Sequence, residues 1–249
     1  MSLKLPNVIG HRGAASYAPE NTLEGIHTAA DMGVKWVELD VKLTKDDVPI
    51  LFHDDELDRT TNGSGKVAET KYEDIQQLET GSWFGESFTG IKVPTLEEAI
   101  EVLIDRDLGL NLEIKPCAGR ETETAEAALD ILSQYWDERS NLLISSFQHG
   151  CLEVSLDIAQ DWARGLLIGG EEIPEHFLDI ADHLDVKTVN VSTSLANHEI
   201  VLEIIEKELT PLIYTVNDPI QAREYQSMGV KTLFSDEPDI LLEHMLSVH

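Results

Sequence analysis

Nine short apolar runs punctuate this chain, and the lengths of the stretches between them govern how it can fold. The runs are NVIGHR, KWVELDVKL, VPILFHD, LNLEIK, LLISSF, RGLLIG, TVNVS, LIYTV and KTLFSD. Each is rich in Val, Ile, Leu or aromatic residues and is closed by turn-like residues, so each reads as a β-strand. Most are separated by amphipathic stretches long enough for a helix. Strands and helices in alternation require parallel pairing, because a parallel neighbour is reached only through a crossover of about a dozen residues or more. One spacer is too short for that. Only Thr44, Lys45, Asp46 and Asp47 separate KWVELDVKL from VPILFHD, so these two runs must form an antiparallel hairpin. With the turn centred on Asp46 and Asp47, facing residues have numbers that sum to about 93, which sets His53 opposite Asp40.

Setting the hairpin's return aside leaves eight parallel strands, the number that closes a (β/α)8 TIM barrel, and this α/β architecture is expected over residues 1–249 as a single domain. A doubly wound open sheet is the runner-up, but no GxGxxG motif follows any strand to support it. Helix boundaries are legible as well. Asn21 with Glu24 and Thr95 with Glu98 have the spacing of an N-cap and its partner, and Gly33, Gly109 and Gly229 stand where helices should end. Residues 54–94 break the pattern, being turn-rich, with Trp83 and Phe84 and at most one short helix near YEDIQQLE. Loops of more than about 15 residues without structure of their own are uncommon. The segment is therefore expected to be a packed lid inserted over the barrel mouth.

Composition excludes several classes of function. With 47 acidic and 18 basic residues the formal net charge is -29, a field that repels phosphate backbones and anionic headgroups. Nucleic acid and stable membrane association are therefore not expected. Two cysteines, Cys117 and Cys151, are too few for a disulfide framework, and the N-terminus lacks the pattern of a secretion signal, so the expected location is cytoplasmic.

The polar residues that interrupt apolar strands carry the chemistry. Glu38 and Asp40 are two apart and share one face, as do Glu113 and Lys115, while His11 and Arg12 end the first strand and His53 ends the hairpin's return. In a barrel, strand C-termini converge on one mouth. Three carboxylates gathered there at about 5 Å repel one another by about 3 kcal/mol per pair at an effective dielectric of 20. A divalent cation resolves that repulsion, and an all-oxygen donor set suits Mg2+, Ca2+ or Mn2+ better than Zn2+. Two histidines flanking such a cluster suit general acid/base work.

HRGAASYAPENTLEG, VELDVKLTKDDVPILFHDDELDRTTNGSG, GSWF, VPTLEEA, NLEIKP, ISSF, TVND and GVKTLFSDEPDILL occur in that order from residue 8 to about residue 242. Together they resemble the signature set of the glycerophosphodiester phosphodiesterase family. The resemblance implies a phospholipase-C-like TIM barrel, one divalent cation (Mg2+ or Ca2+), and hydrolysis of a small-molecule glycerophosphodiester to glycerol 3-phosphate and an alcohol. By position it implies Glu38, Asp40 and Glu113 as metal ligands, His11 and His53 as the acid/base pair, and Arg12 and Lys115 as phosphate contacts. Tyr214 stands where the family usually has Trp, which by the same resemblance implies a substrate-binding position, and the stretch after ISSF fits loosely; both bear on substrate preference. Two other readings share parts of this set: a phospholipase or sphingomyelinase D-like enzyme acting on lipid, and a non-catalytic phosphoester-binding barrel. Monomer and homodimer fit the sequence equally.

Overall fold

The computed structural model describes residues 3–246 and contains all nine expected strands. They are β1 (Val8–Gly10), β2 (Trp36–Leu43), β3 (Pro49–Leu51), β4 (Gly109–Ile114), β5 (Leu142–Ser146), β6 (Ala163–Ile168), β7 (Thr188–Ser192), β8 (Thr210–Tyr214) and β9 (Thr232–Ser235). All but β3 pair in parallel, and β1 bonds both β2 and β9, so eight strands close into a barrel. β3 adds to β2 antiparallel, as the four-residue spacer requires.

Helices follow in turn: α1 (Leu23–Asp31), α2 (Tyr72–Ile75), α3 (Leu96–Asp105), α4 (Glu121–Tyr135), α5 (His149–Ile158), α6 (Phe177–His183), α7 (His198–Glu206), α8 (Pro219–Ser227) and α9 (Pro238–Leu246). Successive strand residues face opposite sides, and the barrel uses both. Leu39, Val41, Leu110 and Leu112 point outward into the layer shared with Ile26, Ala99 and Leu103 of the helices. The opposite face lines the interior, where Ile9, Trp36, Leu143, Leu212 and Phe234 form a separate apolar cluster. Moving along β2 on that inner face, Trp36 gives way to Glu38 and then Asp40, so the apolar plug ends where the acidic mouth begins.

Three local expectations are corrected. Facing residues in the hairpin sum to 92, with Val41 opposite Leu51 and Lys42 opposite Ile50, so Phe52 rather than His53 stands across from Asp40. The cause is a three-residue loop: Thr44 bonds Val48 across it and Asp47 adopts a left-handed φ of 63°, the usual way a type I turn rejoins its strand. At α1 the cap is Thr22, whose hydroxyl accepts from the Gly25 amide, while Asn21 is drawn into the site. Gly109 ends no helix. It opens β4, where an added Cβ would lie 2.4 Å from the Trp36 indole, and Asp107 supplies the left-handed residue after α3. The capping box of Thr95 and Glu98 on α3 is complete, and Gly33 and Gly229 take positive φ as helix stops.

The segment 54–94 holds α2 and two single turns of 3-10 helix. Leu57, Val67 and Ile75 pack on Ile50, Phe52 and Val93, giving it a small core against the hairpin. Trp83, 41% exposed, meets Phe84 edge to face. Cys117 and Cys151 are buried free thiols, and no helix of the described residues is long and apolar enough to cross a membrane.

Candidate active site

Strand register brings the three acids together. Asp40 on β2 is paired in register with Glu113 on β4, and Glu38 lies two residues earlier on the same inner face. One oxygen from each of Glu38, Asp40 and Glu113 lies within 4.8 Å of the others, and all three side chains are buried. Glu38 Oε1 is buried with no hydrogen-bond partner, which costs a carboxylate heavily unless something positive meets it. Burial, then the nearby Asp40 and Glu113, pushes the Glu38 carboxyl well above its ordinary value. Burial and Asp40 likewise push Glu113 up to about 7. Asp40 resists the same burial and stays below the usual range, held first by Arg12, with His53, Lys115 and the Asn21 amide adding to it. An oxygen-only trio under this electrostatic load fits a hard divalent cation.

Arg12 is placed by the turn after β1. Its own φ is 50° and that of Gly13 is 95°, and an added Cβ on Gly13 would strike the Gly25 backbone at 2.7 Å. That turn sends the Arg12 amide to Glu38 Oε2 at 2.9 Å and its guanidinium to Glu20 at 2.7 Å, with Nε 3.4 Å from Asp40. Burial disfavours the Arg12 charge, but Asp40, Glu20 and Glu38 outweigh it. On the other side Lys115 Nζ donates to Glu113 at 3.0 Å and lies 5.4 Å from the Phe147 ring centre.

The two histidines flank this centre, each aligned by a carboxylate. His11 Nδ1 is 2.7 Å from Asp236 Oδ1, leaving Nε2 facing Glu38 Oε2 at 3.9 Å. Asp236 is itself fixed by Asn217, whose amide donates to it at 2.9 Å. His53 Nδ1 is 2.6 Å from Asp54 Oδ1. Burial lowers the His53 pKa despite the pull of Asp40, and the positive charges of Arg12 and Lys115 add to the lowering. Arg59, from the segment 54–94, bonds both Asp54 and Glu20 at 2.6 to 2.9 Å. The partner of His53 is thus tied to the partner of Arg12.

All eight residues singled out from the sequence sit at this mouth. Tyr214 donates to the Ile168 carbonyl at 2.9 Å and meets Phe147 and Phe234 edge to face. A cavity of about 220 Å³ is lined by His11, Arg12, Glu38, His53, Glu113, Lys115 and Tyr214 among others. Sequence reasoning missed Asn21, Arg59, Asp236 and Asn217. Asn21 donates to Asp40 Oδ2 at 2.8 Å and accepts from the Asp40 amide at 3.0 Å, so it holds a cluster carboxylate from two directions. Asp236 could have been found by the rule that found His11, since it closes the last strand run.

Comparison with known proteins bears on this geometry. Residues 11–240 match the Glycerophosphoryl diester phosphodiesterase family. An Oleispira antarctica phosphodiesterase, solved in complex with the product sn-glycerol-3-phosphate, is 39% identical with a TM-score of 0.94, the alignment covering 98% of each chain. YhdW of Bacillus subtilis is 31% identical over 95% of this chain and 96% of its own length. A glycerophosphodiester phosphodiesterase of Caldanaerobacter subterraneus is 39% identical over 64% of this chain and 65% of its own.

Proposed function

The chain belongs to the glycerophosphoryl diester phosphodiesterase family, and we propose that it hydrolyses small glycerophosphodiesters to glycerol 3-phosphate and an alcohol with the help of one divalent cation. The observation that carries this reading is the buried trio Glu38, Asp40 and Glu113 set between His11 and His53. These three would hold Mg2+ or Ca2+, which when bound would offset phosphate charge and make an attacking oxygen more acidic.

The chain's own groups do the rest. Arg12 and Lys115 are charged donors on the two sides of the trio, placed to orient the phosphate and to stabilise charge that grows on its oxygens. His11, held by Asp236 so that Nε2 faces the centre, takes the proton from the nucleophile, whether water or the substrate's own glycerol hydroxyl. His53, held by Asp54, gives a proton to the departing alkoxide. A lowered pKa makes its imidazolium the readier donor. Residues 54–94 act as the lid in this reading, reaching the site through Asp54 and Arg59.

The test is glycerol 3-phosphate release from glycerophosphocholine after chelation and after re-addition of each cation. Activity should vanish with chelation and return with Mg2+ or Ca2+; full activity in the chelator rejects the metal-assisted mechanism. His11→Ala and His53→Ala should each lose at least about two decades of turnover while still binding the cation by calorimetry, since one proton transfer is worth about 10²-fold to 10⁴-fold. Near-normal turnover in either variant removes that histidine from the mechanism.

A further inference from the structure

The guanidinium of Arg59 joins two arms of the mouth that come from different loops. Its Nε and Nη2 form one fork on Asp54, at 2.6 and 2.9 Å, and its Nη1 and Nη2 form a second on Glu20, at 2.8 and 2.7 Å. Each carboxylate carries the contact onward. Asp54 Oδ1 also meets His53 Nδ1 at 2.6 Å, and Glu20 Oε1 also accepts from Arg12 Nη1 at 2.7 Å. One continuous chain therefore runs from His53 through Asp54, Arg59 and Glu20 to Arg12, with the proposed proton donor at one end and a phosphate contact at the other. A lysine could not close it, since an ammonium has no planar fork to set against two carboxylates at once.

Arg59 is mounted on the packed part of its segment. Leu57 is buried in the small core with Ile50, Phe52 and Ile75, and the carbonyl of Thr60 accepts from the Thr80 hydroxyl at 2.6 Å. His53 and Asp54, by contrast, are neighbours in the loop after β3, and two side chains bonded to each other there can turn together unless something outside the pair pins them. Arg59 is that outside pin. Its bonds also outweigh partial burial and hold the Asp54 carboxyl below the usual range, so that it stays charged beside the imidazole. We propose that Arg59 is a positioning residue: by fixing Asp54 it aims the free nitrogen of His53 at the departing alkoxide, and so makes leaving-group protonation depend on the folded segment 54–94. This rests on the hydrolytic reading, in which His53 gives that proton.

The experiment uses two substrates that differ only in the departing group, glycerophosphocholine and the p-nitrophenyl ester of glycerol 3-phosphate, with the metal-loaded enzyme. Nitrophenolate leaves without a proton, whereas the alkoxide of choline needs one, so a misaligned donor slows the first substrate alone. Arg59→Ala should lower kcat on glycerophosphocholine by about ten-fold or more and on the nitrophenyl ester by less than about three-fold. Added guanidinium ion should return part of the lost kcat. Arg59→Lys, which keeps a positive charge beside the carboxylates, should show a smaller split of the same kind, and it gives the same comparison should Arg59→Ala not fold. Lys66→Ala, which breaks an exposed pair with Glu69 in the same segment, should change neither kcat. Equal loss on both substrates from the Arg59 variants would reduce Arg59 to a structural tie and overturn the assignment, as would no loss on glycerophosphocholine. His53→Ala measured alongside separates the two claims. A leaving-group split in His53→Ala with none in the Arg59 variants overturns this inference alone. No split in His53→Ala, or no glycerol 3-phosphate released by the unaltered enzyme, overturns the reading it rests on and this inference with it.

Discussion

Single side chains in this protein are useful only because others aim them. His11 is the clearest instance, since Asp236 fixes one nitrogen of its ring and Asn217 fixes Asp236. Removing that carboxylate should leave the barrel folded and the ring unaligned. For Asp236→Ala we expect kcat to fall at least about ten-fold with KM nearly unchanged, and Asp236→Asn to recover part of the loss because its carbonyl oxygen still accepts from the imidazole. An unaltered kcat in both variants would mean that the ring is held without help. The difference between what was legible and what was not follows from the same dependence. Glu38, Asp40 and Glu113 interrupt apolar strands, so the expense of burying them unexplained is visible in the sequence itself. Asn21 and Arg59 lie in loops, where polar residues are ordinary, and their roles arise from partners brought in by the fold.

Elements were legible in kind and imperfect in register. All nine strands follow from apolar runs, and the antiparallel hairpin follows from a spacer too short for a crossover. Its pairing missed by one because loop parity depends on whether Asp47 takes a left-handed φ, a choice open to Asp and fixed here by the turn. Helix starts show the same limit. Two polar residues in sequence, Asn21 and Thr22, could each cap α1, and the demand of Asp40 for an amide decides between them. Where no such competitor exists the cap is read correctly, as at Thr95. Thr95→Ala should destabilise the protein by about 1 kcal/mol in denaturant titration, with kcat/KM unchanged, because the box tethers α3 on the outside of the barrel. A loss of activity larger than the loss of stability would show that the cap also shapes the mouth.

On the scale of the whole molecule, folding forces three carboxyls together, and stability must register it. Glu113 rises from 4.5 to about 7 and Glu38 is raised as well, so over that range the folded chain keeps protons that the unfolded chain has released. A folded state that binds more protons loses stability as pH rises. The lowered Asp40 and His53 work in the opposite sense, Asp40 only around and below its ordinary 3.8 and His53 below its ordinary 6.5, so two raised carboxyls stand against one lowered imidazole and the sum still falls with pH. The melting temperature of chelated protein should therefore drop from about pH 5 to about pH 8, and Mg2+ or Ca2+ should restore more of it at the higher pH. A flat profile, or equal rescue at both ends, would mean that the trio does not bear the strain assigned to it. Barrel closure has a consequence in time. Val8 lies against Leu233 and Ile9 against Phe234, and 225 positions separate His11 from the aspartate that aligns it. At translation speeds of about 5–20 residues per second, a ribosome needs roughly ten to fifty seconds to deliver the second after the first. In the later part of that interval, once Glu113 has been added, the acid-bearing staves have been made but the ring is still open, so a stalled nascent chain is a target for proteases and chaperones rather than a slow version of the finished catalyst.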